Sequence, residues 1–373
     1  MSKLLIKNAH FIDGNIFDIY IENNIIKTIG TNLNISSQRI PTIYLHDDEY
    51  ISSGWIDSHT HCFEKFEIYA DNCEEIGYRS GVTTVIDAGT AGADNIEEFY
   101  NQTKNCITHV YSLLNISKTG IYAQNELSDM NHIDIKAFQN AYLQYPNFII
   151  GVKARLSKSV IGSNGDLPLY KAIEIANLTD LPLMVHIGTA PLELSKICQY
   201  LRPKDIITHI YNPKENGIWD GQHIKPCVLE AYQKGIYFDL GHGTDSFSFD
   251  ILNYANQNHL KVYSISSDIY HRNRKNGPVY DLATTMTKLY HHGYSLKEVI
   301  DCVTIHPANM FHLHHIGKIE KGYQADFTIF KLTNKAKKLI DSTGKSITVS
   351  SYIQPTAVII NSKYIQLKEK NNG

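Results

Sequence analysis

The chain has 373 residues, of which 43% are apolar and 20% are charged, and its formal net charge at pH 7 is -3. This composition is that of a globular protein, and it disfavours a nucleic-acid-binding surface, which would need a basic excess. The apolar runs fall short of the roughly 18 residues that cross a membrane, and the six cysteines include no Cys-X-X-Cys pair. We therefore expect a cytoplasmic protein with reduced cysteines that binds neither nucleic acid nor membrane.

Both ends of the chain are rich in β-branched residues and in turn-forming residues. Near the start, short runs predict strands at Leu4–Ile6, Phe17–Ile21 and Ile25–Ile29. Near the end, runs of the same character predict strands at Ala325–Phe330, Ile347–Val349 and Ala357–Ile360. We predict that the two ends pair into one small β domain, residues 1–49 plus 316–373, and that residues 50–315 form a second domain.

The central segment alternates strand-like and helix-like runs. Apolar runs predict eight buried strands, at Tyr50–Ile56, Val82–Ile86, Val110–Leu114, Phe148–Val152, Leu183–Val185, Ile206–Thr208, Ile236–Leu240 and Val262–Ile265. Helical segments lie between them, at Asn95–Lys104, Asp134–Gln144, Leu169–Asn177, Pro191–Leu201 and Phe247–Asn258. Eight β-α units predict an α/β fold of the TIM (β/α)8 barrel type. A doubly wound sheet is the alternative, but it would not bring eight strand ends around one pocket.

The first central run ends in a His-X-His motif, in the stretch Gly54-Trp55-Ile56-Asp57-Ser58-His59-Thr60-His61. Residues i and i+2 of a strand point to the same side, so His59 and His61 can present two imidazoles to one point. Neutral imidazole is the commonest protein ligand for zinc-like metals. The motif therefore indicates one half of a metal site.

Further polar side chains follow the later strands, where a barrel enzyme places its catalytic residues. These residues are Lys153, His186, His209, His242 and Asp268. Taken alone, each residue could have a purely structural role. A histidine can be a buried hydrogen-bonding residue, Lys153 can reach solvent, and Asp268 can cap a helix. Together they predict a common pocket.

The donor chemistry of this set suggests two divalent ions. His59, His61 and Asp268 can hold one ion, and His186 and His209 can hold a second. The ammonium group of Lys153 has no lone pair, but a lysine that has reacted with carbon dioxide becomes a carbamate with two oxygens. We therefore hypothesise that Lys153 carries a carbamate that bridges the ions.

The ordered set His59-Thr60-His61, Lys153, His186, His209 and Asp268 resembles the amidohydrolase superfamily in its binuclear, carboxylated-lysine subtype. Three stretches, Gly151–Ser157, Asp239–Gly243 and Ser267–Leu282, resemble its dihydroorotase-like amidohydrolase/deacetylase branch. The resemblance implies a metal-dependent hydrolase that cleaves an amide or ester bond in a small N-acyl or O-acyl acid through a metal-bridging hydroxide. It implies Asp268 as the catalytic proton carrier and zinc as the expected metal, although manganese and cobalt suit the same ligands.

Other residues are candidates for binding the substrate, namely Arg155, His242, His271 and Arg272. Arg155 follows Lys153 by two residues and could clamp a substrate carboxylate, or it could form an ion pair at the pocket rim. The alternatives to a deacetylase are a dihydroorotase-like cyclic amidase, a mononuclear deaminase and a non-catalytic binding protein. The expected partner is a small-molecule substrate, and a homo-oligomer is the default for such an enzyme.

Overall fold

The computed structural model describes residues 2–35, 40–189 and 191–368. Its strands are β1 (Lys3–His10), β2 (Ile16–Glu22), β3 (Ile25–Gly30), β4 (Thr42–Tyr44), β5 (Tyr50–Ser53), β6 (Trp55–Thr60), β7 (Val82–Ala88), β8 (His109–Asn115), β9 (Ile149–Arg155), β10 (Leu183–His186), β11 (Ile206–Thr208), β12 (Tyr237–Phe238), β13 (Phe327–Thr333), β14 (Lys337–Ile340), β15 (Ser346–Val349), β16 (Tyr352–Ile360) and β17 (Lys363–Gln366).

The α-helices of the described residues are α1 (Cys73–Ile76), α2 (Ile96–Thr103), α3 (Ile135–Gln144), α4 (Lys158–Ile161), α5 (Leu167–Thr179), α6 (Leu194–Tyr200), α7 (Pro226–Gln233), α8 (Phe249–Gln257), α9 (His271–Asn276), α10 (Leu282–Tyr290), α11 (Leu296–Asp301) and α12 (Ile305–Met310). The described residues include no helix that is both long enough and apolar enough to cross a lipid bilayer.

The central strands form a parallel sheet in chain order, from β6 through β12. Every residue of β6 and β7 is buried, so both faces of these strands are covered, as is usual in a parallel sheet. The helices between the strands bury one face. In α3, for example, the side chain of Asp134 accepts a hydrogen bond from the backbone of Ala137, and Phe138 and Ala141 are buried.

Two of the predicted central strands are not single strands of the parallel sheet. The run Tyr50–Ile56 is divided, because β5 pairs with β13 in a different sheet and only β6, which continues to Thr60, joins the parallel sheet. Val262–Ile265 is not a strand, although single parallel bridges join Ser264 to Asp239 and Ile269 to Thr60. The intervening Asp268 has a φ of 50°, which takes the backbone out of the extended conformation and prevents a continuous ladder.

The strands near the two termini share one mainly antiparallel sheet, in the order β17-β16-β13-β5-β1-β2-β3, with β4 beside β1. Its core combines residues that are far apart in the chain, because Ile19 and Ile51 pack in the same cluster as Phe327 and Ile359. The remaining hairpin, β14-β15, is separate. The limits predicted for the two domains stay a prediction.

Candidate metal centre

The His-X-His motif lies at the carboxyl end of β6, where both imidazoles are almost completely buried. Asp268 faces them. Its Oδ1 atom lies 3.4 Å from Nε2 of His59 and 3.1 Å from Nε2 of His61. One potential ligand atom from each of the three residues lies within 4.8 Å of the others. This spacing, together with the two nitrogens and one carboxylate oxygen, suits a single divalent cation of the zinc type.

Lys153 belongs to the same cluster through its contact with His59. It lies within β9, which extends beyond the predicted Phe148–Val152 and includes Arg155. The Nζ atom of Lys153 is 3.2 Å from Nε2 of His59 and 3.3 Å from the sulfur of Met184. Burial lowers the pKa of Lys153 to about 7, so an unprotonated amine is accessible near neutral pH.

His186 and His209 complete the cluster from the next two strands. The ring centroid of His209 is 4.4 Å from that of His186 and 5.1 Å from that of His59. The structure thus brings together all six residues predicted to be metal ligands, which are His59, His61, Lys153, His186, His209 and Asp268. The ligand roles themselves stay predictions.

Each of the four histidines has one ring nitrogen occupied by the protein. His59 Nδ1 is 2.9 Å from the hydroxyl of Thr208, and His61 Nδ1 is 2.7 Å from the hydroxyl of Thr90. His186 Nε2 is 3.0 Å from the hydroxyl of Ser157, and His209 Nδ1 is 2.6 Å from the carbonyl oxygen of Gly241. Such contacts orient an imidazole and leave its other nitrogen for a metal.

The protonation states agree with metal binding. Burial, with smaller contributions from neighbouring positive groups, holds the pKa of His59 and of His186 well below the ordinary value. Burial also lowers the pKa of His209 to about 4. Burial acts to raise the pKa of Asp268, but a hydrogen bond from His61 and nearby positive charge outweigh it and leave that pKa below its usual value. Neutral imidazoles and an ionised carboxylate are the forms that ligate cations.

Backbone strain is concentrated at two of these residues. His209 and Asp268 have φ values of 66° and 50°, a left-handed conformation that non-glycine residues seldom adopt. Close neighbours make room for them: Gly243 packs its backbone against the carboxylate of Asp268, and Gly241 lies against the ring of His209. Strain of this kind persists where the surrounding structure fixes a side chain for a task.

The four predicted substrate residues lie in different surroundings. Arg155 is buried, with Nη1 3.2 Å from Glu126 and Nη2 2.9 Å from Gln124, so it takes part in an ion pair. His242 is buried, and both of its ring nitrogens have partners inside the protein. His271 contacts the carbonyl oxygen of Ala70 through Nδ1, and Arg272 is exposed. Their substrate roles stay predictions.

Several residues that support the centre were missed by the sequence reasoning. The hydroxyl of Thr208 donates to the carboxylate of Asp239, which also accepts from Ser266. Tyr69 lies over His61, with ring centroids 5.2 Å apart, and also carries Arg155 on its face. Thr208 directly precedes the predicted ligand His209, so its place in the sequence indicated that it lies near the site. Nothing in the sequence around Tyr69 indicated its position.

A parallel β/α sheet that gathers a His-X-His strand end, two further histidines, a lysine and an aspartate is the arrangement of the amidohydrolase superfamily. A model of the amidohydrolase family matches residues 50–365. The chain belongs to this family and is a hydrolytic enzyme.

Relatives with different activities resemble almost the whole chain. A deacetylase of Enterococcus faecalis is 46% identical over 360 residues, which are 96% of this chain and 97% of the relative. A crystal structure described as an adenine deaminase is 46% identical with a TM-score of 0.95, over 98% of this chain and 100% of that one. A crystal structure described as a dihydroorotase is 29% identical with a TM-score of 0.90. The match covers 99% of this chain and 100% of that one.

Proposed function

We propose that this enzyme removes an acyl group from a small N-acyl or O-acyl acid, as a deacetylase-type hydrolase of amides or esters. The observation that carries the proposal is the position of Asp268, whose carboxylate lies 3.1 Å from His61 and 3.4 Å from His59 at the centre of the histidine cluster. The 46% identity to a deacetylase over 96% of the chain supports the acyl substrate.

The donor set fits two divalent ions, for which zinc is the metal we propose. His59, His61 and Asp268 would hold one ion, and His186 and His209 the other. We propose that Lys153 joins them as a carbamate. Its amine nitrogen forms a bond to the carbon of carbon dioxide and releases one proton, which leaves an anionic group with two oxygens. When bound, such ions lower the pKa of water and polarise a substrate carbonyl.

The residues of the chain then handle the protons. Asp268 is ionised and can accept the proton of the attacking water. Once protonated, the same carboxyl group can donate to the leaving nitrogen or oxygen, as a general acid does. Arg155 is held by Glu126 and Gln124 beside the aromatic ring of Tyr69. These contacts hold the guanidinium on the strand that carries Lys153, and we propose that it orients an anionic substrate.

Two other activities compete with this proposal. Ring opening of a cyclic amide uses the same apparatus, and the dihydroorotase structure supports that alternative. Deamination is favoured by the 46% identity to the structure described as an adenine deaminase. The position of Lys153, with Nζ 3.2 Å from a predicted ligand nitrogen, supports the bridged hydrolase over a mononuclear deaminase.

The deciding experiment combines metal content with a substrate panel. The protein is purified without chelator in bicarbonate buffer, and its metal is counted by inductively coupled plasma mass spectrometry. The panel contains N-acetyl amino acids, O-acetyl hydroxy acids, dihydroorotate and adenine, with Asp268→Asn as the inactive control. We expect about two equivalents of metal and release of acetate. One equivalent with ammonia released from adenine would replace the proposal with a deaminase.

We also propose that the parallel sheet closes into a (β/α)8 barrel. Segment 263–269 hydrogen bonds on one side to residues after β12, as in the bond from Leu240 to Ser264, and on the other side to β6, as in the bond from Asp268 to His59. These contacts with both edges of the sheet support closure and explain how Asp268 meets the His-X-His motif.

A further inference from the structure

The side chain of Lys288, on α10, is completely buried away from the metal centre. Its Nζ atom lies 2.7 Å from Nε2 of His242, 2.9 Å from the carbonyl oxygen of Pro278 and 2.7 Å from the carbonyl oxygen of Ile340. An ammonium group has three hydrogens to donate, and here three acceptors surround it. The chain therefore provides a complete hydrogen-bonding environment for a buried cation.

The same contacts determine the form of His242. Its Nδ1 atom is 2.8 Å from the carbonyl oxygen of Gly243, which can only accept, so Nδ1 carries the hydrogen. Nε2 is then a lone-pair acceptor for Lys288. Burial holds the pKa of His242 well below its usual value, which is consistent with a neutral ring. The ring also stacks on Phe247, with centroids 4.5 Å apart.

His242 connects Lys288 to the catalytic carboxylate. The backbone N–H of His242 donates to Ser266, and that of Gly243 donates to Ser267, the two residues directly before Asp268. Gly243 has a φ of 55°, and a methyl group added to it would collide with Oδ2 of Asp268. The loop held by Lys288 therefore forms one wall of the space that the carboxylate occupies.

Burying a cation is unfavourable unless partners compensate for the water that the charge loses. Burial lowers the pKa of Lys288 to about 7; the charges of Asp341 and Asp281 oppose this effect, and that of Lys337 adds to it. The proposed reaction gives Lys288 no proton to carry. The three contacts of Lys288 reach the loop after β12, the segment around Pro278, and β14. Lys288 therefore fixes these three parts of the chain relative to one another.

We propose that Lys288 is a positioning residue for Asp268 and acts through His242 and Gly243. Its ammonium group fixes the ring of His242, the ring fixes the loop, and the loop fixes the carboxylate against the two histidines of β6. The inference rests on the proposed metal centre, and it rests on the proposed acyl hydrolysis only where activity is measured.

The test uses Co²⁺ alone as the probe, so that it needs no substrate. Lys288→Met removes the charge at similar volume, and His242→Phe keeps the stacked ring but removes both nitrogens. Met286→Ala is the matched control, because Met286 is completely buried on the same helix. We expect Lys288→Met and His242→Phe to shift the visible Co²⁺ spectrum and to weaken Co²⁺ binding about tenfold or more, in the range for residues that orient ligands. Met286→Ala should lower the melting temperature and leave the spectrum unchanged.

Activity adds a second measurement. With an acyl substrate turned over by the wild type, Lys288→Met should lower kcat about tenfold with little change in KM. The double variant should be no worse than the more impaired single variant, because both act along one chain of contacts. A wild-type Co²⁺ spectrum and affinity in both single variants would overturn the positioning role, whatever the substrate. An inactive wild type with the expected spectral shifts would instead overturn the proposed function and leave the role of Lys288 standing.

Discussion

Thr208 holds its hydroxyl oxygen 2.9 Å from Nδ1 of His59. Because the hydroxyl hydrogen is donated to Asp239, 2.7 Å away, the oxygen can only accept from the imidazole. His59 is thereby fixed with its hydrogen on Nδ1 and its lone pair on Nε2, the nitrogen that faces Asp268. A buried threonine thus selects the tautomer that can bind a metal.

Replacing Thr208 with valine should weaken metal binding. Thr208→Val keeps the shape of the side chain but removes the acceptor, which leaves His59 free to change tautomer and Asp239 short of one donor. We expect a ten- to hundredfold loss of metal affinity, as for other residues that support ligands, measured by competition with a chelator. Thr208→Ser is the control and should keep most of the affinity. Equal affinity in the valine variant would refute the tautomer argument.

Removal of Lys153 should reduce the metal content. Lys153→Ala deletes the amine that we propose to become the bridge, so we expect about one equivalent of metal instead of about two. A short carboxylic acid added to the buffer should restore the second equivalent, because its carboxylate can occupy the vacated space. Lys171→Ala, on the outer face of α5, is the control. Two equivalents in Lys153→Ala without added acid would remove the carbamate from the mechanism.

Asp268→Asn should abolish most of the activity. The amide has similar size but cannot accept the proton of water, so we expect kcat to fall about 10²- to 10⁴-fold, the usual contribution of a general acid-base group. Asp250→Asn, at an exposed position, is the control and should leave kcat unchanged. Steady-state kinetics measured at saturating metal separate the loss of proton transfer from a loss of metal binding. Retention of full activity would assign proton transfer to another group.

The pair Glu126–Arg155 predicts a pH-dependent stability. Burial raises the pKa of Glu126 from 4.5 to about 7 and outweighs the attraction of Arg155. The folded state therefore holds a proton that the unfolded chain releases near pH 4.5, so the free energy of unfolding should fall as the pH rises from about 4.5 to about 7.

Glu126→Gln tests this titration because the amide does not titrate. The contribution of Glu126 to the pH dependence is at most about 3 kcal/mol, and the variant should lose it. Denaturant unfolding at several pH values measures the difference, with Glu97→Gln as the control on the surface. Parallel curves for wild type and Glu126→Gln would show that Glu126 is already ionised at pH 4.5.

Gly89 should tolerate no side chain, for a reason beyond its backbone conformation. Its φ is 83°, and an added Cβ would lie 2.6 Å from Cβ and Cγ of Lys153. Gly344 has a similar φ of 87° but no atom within 4 Å of the added Cβ. Alanine at Gly344 therefore measures the conformational strain alone, roughly 1–2 kcal/mol. We expect Gly89→Ala to cause a larger loss of stability and to lower metal content; equal effects of the two changes would show that Lys153 moves aside without harm.

The positions of the metal-site candidates could be predicted from the sequence because they follow a periodic signal. Apolar runs ending in His, Lys or Asp locate the strands, and parallel strands end at one edge of the sheet. The split after Ser53 could not be predicted, because it depends on the pairing partners of β5 and β6, which the local sequence does not show. The contacts of Lys288 could not be predicted either, since two of its three acceptors, in His242 and Ile340, are 46 and 52 residues away in the chain.

The sharing of residues 50–60 between two sheets has a consequence for how the protein assembles. β5 pairs with β13, whose residues follow their partners by 274 to 280 positions, while β6 leads into the His-X-His motif. During translation β6 therefore emerges long before β13, the antiparallel neighbour of β5. Pairing over such a separation is slow, because the loop must close before any contact forms. The proposed metal centre should therefore reach its final geometry only after β13 has been synthesised and has paired with β5.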